Sequence, residues 1–262
     1  MILDLFRLDG KTAVVSAAGR GIGARIATAF AEVGADVVIG ARSADQLAEV
    51  AAQVEALGRR AIVVEGDLGS REGMAKLVDA AVSELGGIDI VVNNAGGTMP
   101  QAFMDTTEKA FDGALRWNVT TAFNLTQLAV PHMIERGSGS VINITSVAGA
   151  FGDRGFAAYG TAKGALLKLT RHMAQDLSPK IRVNSVSPGS IATSALDMVL
   201  QMPELEKAMI DATPLGRLGT VDDIAAAAVY LASDAASYVT GRDIRVDGGI
   251  EGSNLAMGIP DL

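Results

Sequence analysis

A β-branched, apolar segment at residues 12–16, Thr-Ala-Val-Val-Ser, runs without a break into Ala17-Ala18-Gly19-Arg20-Gly21-Ile22-Gly23. A helical pattern follows at once over residues 21–34, and a second strand-like run occupies 36–40. A strand with no polar alternation has to be covered on both faces, which is the situation of a parallel sheet packed between helices. The helix after the turn carries the chain back across that sheet, so the next strand lies parallel to the first through a right-handed crossover. Glycines in such a turn let backbone approach a ligand closely. The helix N-terminus behind them offers free N–H groups and a dipole that favours an anion.

The same alternation continues along the chain. Strands are expected at 61–65, 88–92, 140–145, 181–186 and 243–246, and helices at 44–57, 71–85, 107–135, 155–177 and 221–232. This is the pattern of an α/β protein with a Rossmann-type, doubly wound parallel β-sheet flanked by helices. No Pro/Gly/Ser-rich linker or charge block divides the sequence, so residues 1–262 read as one domain. Hydrophobic residues make up 49% and aromatic residues only 4%, which suits a core of Val, Ile, Leu and Ala closely packed on helices. The pattern breaks at 191–215, where Pro203 and Pro214 interrupt weakly helical sequence. That stretch is expected to form a substrate lid beyond the carboxyl ends of the strands, where ligands bind in such sheets.

Composition removes several classes of function. The chain has no cysteine, which excludes disulfides, thiolate catalysis and thiolate-held metals. His132 and His172 lack the spacing of a zinc site, so no metal is expected. A net charge of −8 offers no footprint for nucleic-acid phosphates. No apolar run reaches the roughly 18 residues needed to span a bilayer. The first ten residues, with Asp4, Arg7 and Asp9, lack the core of a secretory signal, so a cytoplasmic location is expected.

The end of the second strand bears on the cofactor. A carboxylate there would bind the ribose 2′-hydroxyl of NAD. The sequence instead reads Gly40-Ala41-Arg42-Ser43. Arg42, helped by Arg20, is suited to clamp a 2′-phosphate bidentately, and otherwise it is a solvated surface arginine. NADP(H) is favoured, with NAD(H) open.

Tyr159 and Lys163 stand four residues apart, on one face of the expected helix 155–177. Ser146 follows the strand at 140–145, and Asn118 lies within the expected helix 107–135. Together with Asp67-Leu68, Asn93-Asn94-Ala95-Gly96, Pro188-Gly189 and the stretch 234–249, these residues resemble the short-chain dehydrogenase/reductase family, in its 3-oxoacyl reductase-like and hydroxysteroid dehydrogenase-like branch. The resemblance runs from Lys11 to Gly249.

It implies that Tyr159 is the general acid/base, with Lys163 and the oxidised nicotinamide together lowering its pKa and Lys163 holding the nicotinamide ribose. It further implies that Ser146 binds the substrate oxygen and that Asn118 anchors a proton-relaying water. Ser16, Gly19, Arg20, Gly21, Ile22 and Gly23 are then expected at the pyrophosphate. Asp67 and Leu68 are expected at the adenine, and Asn94, Ala95 and Gly96 at its ribose pocket. Pro188, Gly189, Ile191 and Thr193 are expected beside the nicotinamide and pyrophosphate. A homotetramer, pairing helices 107–135 and 155–177, is also implied.

Where relatives usually have Thr-Gly, this chain has Ser16-Ala17. Ala17 disfavours the positive φ of a tight turn, with Gly19 expected to supply compensating freedom and cofactor affinity expected to drop. The expected pocket wall of Thr98, Met99, Phe151, Phe156, Leu196, Met198, Val199 and Met202 is apolar and adaptable. It favours a hydrophobic ketone or secondary alcohol, such as a steroid or fatty derivative, as the small-molecule substrate. The alternatives are 3-oxoacyl-[acyl-carrier-protein] reduction and NAD-dependent oxidation of an alcohol or sugar acid. Arg136 and Arg171 could meet an acidic carrier, but Gln175 replaces an expected arginine and the chain is acidic. A non-catalytic dinucleotide sensor is disfavoured because Ser146, Tyr159 and Lys163 are all present. The tail 252–262, with Met257, Ile259 and Leu262, is expected to cap a neighbouring subunit or to fray.

Overall fold

The computed structural model describes residues 1–193, 196, 201–252 and 254. Met198 and Val199 of the expected pocket wall, and Met257, Ile259 and Leu262 of the tail, lie outside them. The strands are β1 (Thr12–Ser16), β2 (Asp36–Ala41), β3 (Ala61–Glu65), β4 (Ile90–Asn93), β5 (Gly139–Ile144), β6 (Ile181–Pro188) and β7 (Asp243–Val246). All pair in parallel in the order β3-β2-β1-β4-β5-β6-β7. The winding direction reverses between β1 and β4, where Val14 lies beside Val91. A crevice opens at such a reversal, beyond the carboxyl ends of the strands.

Alternation along each strand sends side chains into two cores. Val15, Ile39, Val92 and Ile142 face one core, closed by α1 (Gly21–Glu32), α2 (Ala44–Ala56) and a late helix at Val221–Ala232. Val14, Val38, Val91 and Val141 face the other, closed by α3 (Arg71–Leu85), α5 (Thr121–Glu135) and α6 (Ala157–Leu177). Burying each such side chain stabilises the fold by roughly 1.5–3 kcal/mol before entropy is counted. The inner strands are buried on both faces, whereas β3 and β7, at the sheet edges, are only partly covered.

The expected helix 107–135 is not uniform. It divides into α4 (Glu108–Leu115), a π-helical turn (Arg116–Thr120) and α5. Such turns are wider than an α-helix and re-aim the residue at their centre, which here is Asn118. Within the expected lid, Ile191 bridges to Gly219 and Pro203 opens the short helix α7 (Pro203–Asp211), as a proline at the first helical position can. The late helix, α8 (Val221–Ala232), starts with a capping box between Thr220 and Asp223, and Arg217 grips the same carboxylate. Among the described residues, no helix is long and apolar enough to cross a membrane.

Candidate active site

Helix α6 carries Tyr159 and Lys163 one turn apart, with the Lys163 Nζ 5.7 Å from the centre of the Tyr159 ring. Lys163 is buried and donates to the Ile144 carbonyl at the end of β5, at 2.8 Å. The chain leaving β5 turns through Ser146 into a short 3₁₀ turn, Val147–Gly149, which lies directly on α6. A side chain at Gly149 would sit 2.7 Å from the Lys163 carbonyl carbon, so only glycine allows this approach. The approach brings Ser146 near the Tyr159 hydroxyl, where it favours the ionised phenol. Phe156 packs at a tilt on the same tyrosine, ring centres 6.0 Å apart.

Asn118 reaches the cluster from the π-turn. Its Oδ1 accepts the Gly97 N–H at 2.8 Å, and its Nδ2 donates to the Ala114 carbonyl at 2.9 Å and to Thr98 Oγ1 at 3.2 Å. Gly96 stands between Asn118 and the lysine. A Cβ there would lie 2.7 Å from Lys163 Nζ and 2.8 Å from Asn118 Oδ1.

Burial dominates the electrostatics. Removal from water lowers the Lys163 ammonium to about 7, because the charged form loses its hydration. Burial also pushes the Tyr159 phenol above its ordinary value, while Ser146 pulls it partly back. Lys163 by itself does not lower the phenol. With its Nζ committed to the Ile144 carbonyl, the lysine does not offset the phenol's loss of water.

The carboxyl ends of β1 and β4 are tied together on the other side of the crevice. Ser16 Oγ accepts the N–H groups of Asn94 (3.0 Å) and Ala95 (3.1 Å) and donates to the Val92 carbonyl. This hydroxyl fixes one turn against the other and has little left to offer a ligand. Asn94 Nδ2 donates to the carbonyls of Ser16 and Ala17. Ala17 takes φ +53°, and Gly21 takes φ +60°. The positive φ thus falls on Ala17 and Gly21, and Gly19, expected to supply that freedom, does not have it.

Among the described residues, no side chain caps the N-terminus of α1, which begins right after this turn. A Cβ at Gly23 would come 2.4 Å from Asn94 Nδ2, so helix and turn meet only through glycine. An uncapped helix end facing a glycine-built cradle at the sheet reversal fits the pyrophosphate of a dinucleotide. Thr193 lies over the same turn, its methyl 3.8 Å from where a Gly21 Cβ would stand.

A family model described as enoyl-(acyl carrier protein) reductase matches residues 16–251. An uncharacterized oxidoreductase of Mycobacterium tuberculosis is 55% identical over the full length of both chains. The 7α-hydroxysteroid dehydrogenase of Escherichia coli is 43% identical, covering 94% of this chain and 96% of its own. The chain is a short-chain dehydrogenase/reductase.

A solved 7α-hydroxysteroid dehydrogenase, in complex with NADH and 7-oxo glycochenodeoxycholic acid, superposes on this dehydrogenase/reductase with a TM-score of 0.91, at 43% identity and with 94% and 96% of the two chains covered. A gluconate 5-dehydrogenase from Burkholderia cenocepacia, with NADP and tartrate, gives 0.90 at 34% identity and covers 95% and 98%. The protein is accordingly an oxidoreductase that uses a nicotinamide dinucleotide and acts on CH–OH or C=O groups of small molecules.

Within this dehydrogenase/reductase, Asn118, Ser146, Tyr159, Lys163 and Gly96 come together, and Ser16, Gly21, Gly23, Asn94 and Ala95 form the adjoining cradle. Gly19 packs against Ala41 and Gln46, bringing the turn beside the exposed Arg42 at the end of β2. Arg20 is exposed just before α1, and Ile22 is partly buried in its first turn. Asp67 folds back to accept the Gly69 N–H, and Leu68 is buried in the core. Pro188 ends β6, and Gly189 lies against the backbone of Asp247. Of the expected pocket wall, Met99 and Met202 are exposed, Thr98 joins Asn118, and Phe151 lies under the guanidinium of Arg245.

Sequence reasoning missed Asn143. Its side chain links Asn93 (2.8 Å) to Thr170 (2.8 Å), bracing β4, β5 and α6 directly below the site. The only hint was a polar residue inside an otherwise apolar strand pattern.

Proposed function

We propose that this chain is an NADP(H)-dependent oxidoreductase interconverting a ketone and a secondary alcohol on a hydrophobic, steroid-like substrate. The observation that carries the chemistry is the Tyr159 hydroxyl beside Ser146, one helix turn from the buried Lys163. The nicotinamide, when bound, supplies or accepts the hydride at the substrate carbon.

The protein's part is the proton and the charge. Tyr159, kept protonated by burial, donates its proton to the substrate oxygen in reduction and recovers it in oxidation. Ser146 donates to that same oxygen and stabilises charge as it grows. Lys163, poised at about 7, exchanges between charged and neutral forms near neutral pH and resupplies the tyrosine through the ribose side of the site. Asn118 anchors the water that completes the path to solvent.

Gly19, Arg20, Gly21, Ile22 and Gly23 hold the pyrophosphate region, with Ser16 fixing the turn behind them. Asp67, Leu68, Asn94, Ala95 and Gly96 border the adenosine side, and Pro188, Gly189, Ile191 and Thr193 border the nicotinamide. Of the expected lid, the described residues 191–193 and 201–215 border the substrate.

The NADP(H) preference rests on Arg42, which is exposed and has no acid at the end of β2 to neutralise it. The hydrophobic substrate rests on Met99, exposed next to Thr98, which bonds Asn118, and on Phe103 and Met104, exposed further along the same segment. The 43% identical hydroxysteroid dehydrogenase supports it independently. Titration of NADPH and NADH into wild type and Arg42→Ala tests the cofactor. NADPH affinity is expected to fall by about tenfold or more, the loss of a charge-assisted contact, while NADH affinity stays put. Equal affinities in wild type would refute the 2′-phosphate clamp and turn the reading to NAD(H).

A further inference from the structure

We propose that Asp243, at the start of β7, is a positioning residue: through Ser187 and Thr145 it fixes the turn that carries Ser146 against the turn that carries Pro188 and Gly189. The consequence for catalysis rests on the roles proposed above for those two turns, one meeting the substrate oxygen and the other bordering the nicotinamide.

Backbone pairing between β5 and β6 ends at Ile144 and Val186, with a last bond from the Thr145 N–H to the Val186 carbonyl at 2.8 Å. Two buried hydroxyls carry the connection one step further. Thr145 Oγ1 and Ser187 Oγ lie 2.7 Å apart, and these residues stand immediately before Ser146 and Pro188. Ser185 and Ser187 share the face of β6 that carries Val183, the face covered by α6. Asp243 sits opposite Ser185 in the register of β6 and β7. Its Oδ1 accepts from Ser185 at 2.6 Å, and its two oxygens accept from Ser187 at 2.8 and 2.9 Å. One carboxylate on β7 thus reaches, through a single serine, the residue that precedes Ser146 on β5.

The bonds have a fixed direction. A hydroxyl has one hydrogen to give, and an ionised carboxylate only accepts. Asp243 takes the hydrogens of both serines, so Ser187 meets Thr145 with a lone pair. Thr145 then donates either to Ser187 or to the Val186 carbonyl, 2.8 Å away, and either choice ties it to β6. An amide at 243 has one acceptor oxygen for two serines, and the order is lost. Among the described residues, no cation pairs with Asp243. A partly buried carboxylate without a cation is a poor source of stability, whereas its strict preference for donors suits it to hold two strand ends in one arrangement. That arrangement matters because hydride transfer needs its reacting atoms about 3–3.5 Å apart, and a misplacement of about 1 Å costs on the order of 10²-fold in rate.

The test compares Ser187→Ala, Thr145→Val and Asp243→Asn with Ser185→Ala as the control. Ser185 is as buried as Ser187 and bonds the same carboxylate, but is not bonded to Thr145. Hydrogen exchange is followed in cofactor-free enzyme over residues 145–150 and 187–191, with thermal unfolding alongside. Exchange in both segments is expected to quicken by about tenfold or more in the first three variants, the effect of losing one buried hydrogen bond locally. In Ser185→Ala it is expected to stay at the wild-type rate although its Tm falls too. The fluorescence lifetime of the bound reduced cofactor is then read, with whichever nicotinamide dinucleotide the enzyme binds. It is expected to shorten in the first three variants, as a less confined ring relaxes faster, and to be unchanged in Ser185→Ala. Wild-type exchange in Ser187→Ala and Thr145→Val, or an equal quickening in Ser185→Ala, would overturn the proposal, and so would a lifetime that is the same in all five proteins. If Asp243→Asn fails to fold, the serine and threonine variants decide. Neither measurement uses a substrate, so a wild type that reduces no oxo-steroid would refute the proposed substrate and leave these outcomes standing.

Discussion

Replacing Lys163 by methionine should make the protein more stable while disabling it. The ammonium is buried and its pKa drops from 10.5 to about 7, so the unfolded chain holds a proton at neutral pH that the folded one half releases. At about 1.4 kcal/mol per pH unit of displacement, this costs the fold roughly 4 kcal/mol at pH 7. Methionine has a similar length, carries no charge and suits an apolar slot. It forfeits the hydrogen bond to the Ile144 carbonyl, a loss of about 1–1.5 kcal/mol, leaving a net gain of roughly 3 kcal/mol. For a chain of this size that corresponds to a rise in Tm of about 6–12 °C.

The sign with pH follows from the same numbers. Between pH 7 and 10.5 the folded lysine is neutral and the unfolded one charged, so the wild type gains stability as pH rises through this window. The variant gains nothing from that site, and its advantage is full below pH 7 and closes towards pH 10.5. Thermal unfolding of both cofactor-free proteins from pH 6 to 10 measures this directly. A variant that melts below wild type at pH 7, or a difference that does not change with pH, would refute the reasoning. Turnover should fall by roughly 10²-fold or more, in keeping with loss of a proton-transfer group.

Two further substitutions probe the backbone around the site. Ala17→Gly removes a left-handed alanine at a cost of roughly 1–2 kcal/mol and adds chain entropy worth about 0.5–1 kcal/mol. The urea midpoint should therefore rise slightly. Cofactor affinity should stay within about twofold, because Asn94 already holds the turn in its final shape; a large gain in affinity with no gain in stability would contradict this. Gly96→Ala inserts a methyl within 2.8 Å of both Lys163 Nζ and Asn118 Oδ1. It should lower turnover by about 10²-fold through misplacement of the two groups, as misplaced catalytic groups do, and activity close to wild type would sink the shared role of that cluster.

Much of this protein was legible from its pattern because the pattern is local. The apolar run at 12–16, the glycine turn and the helix after it are consequences of neighbouring residues, and they appear where expected. The boundaries that moved did so for tertiary reasons. β6 runs on to Pro188 because β7 pairs with its last four residues, a partner almost sixty positions away. The π-turn at Arg116–Thr120 has no signature of its own in the sequence. It is held by Asn118 reaching Gly97 and Thr98, a contact between two segments that composition cannot connect. The burial that raises the Tyr159 phenol is hidden from the sequence for a related reason: the positive charge of Lys163 can be read there, whereas the packing that removes Tyr159 from water cannot.

The reversal of strand order at the centre of the sheet has a consequence for how the chain is made. β1 is flanked by β2, which follows soon after it, and by β4, which begins only at Ile90. A ribosome that has released the chain as far as the end of α3 has already produced the first half of the sheet. The open flank of that part is β1, an inner strand of the finished sheet, buried along its whole length there but with its hydrogen-bonding edge bare at this stage. The nascent protein therefore passes through a stage in which its future core is its stickiest edge, and synthesis of the few residues of β4 ends it. Slowing translation before β4 has emerged from the ribosome prolongs this exposure, and slowing it after β4 has emerged does not.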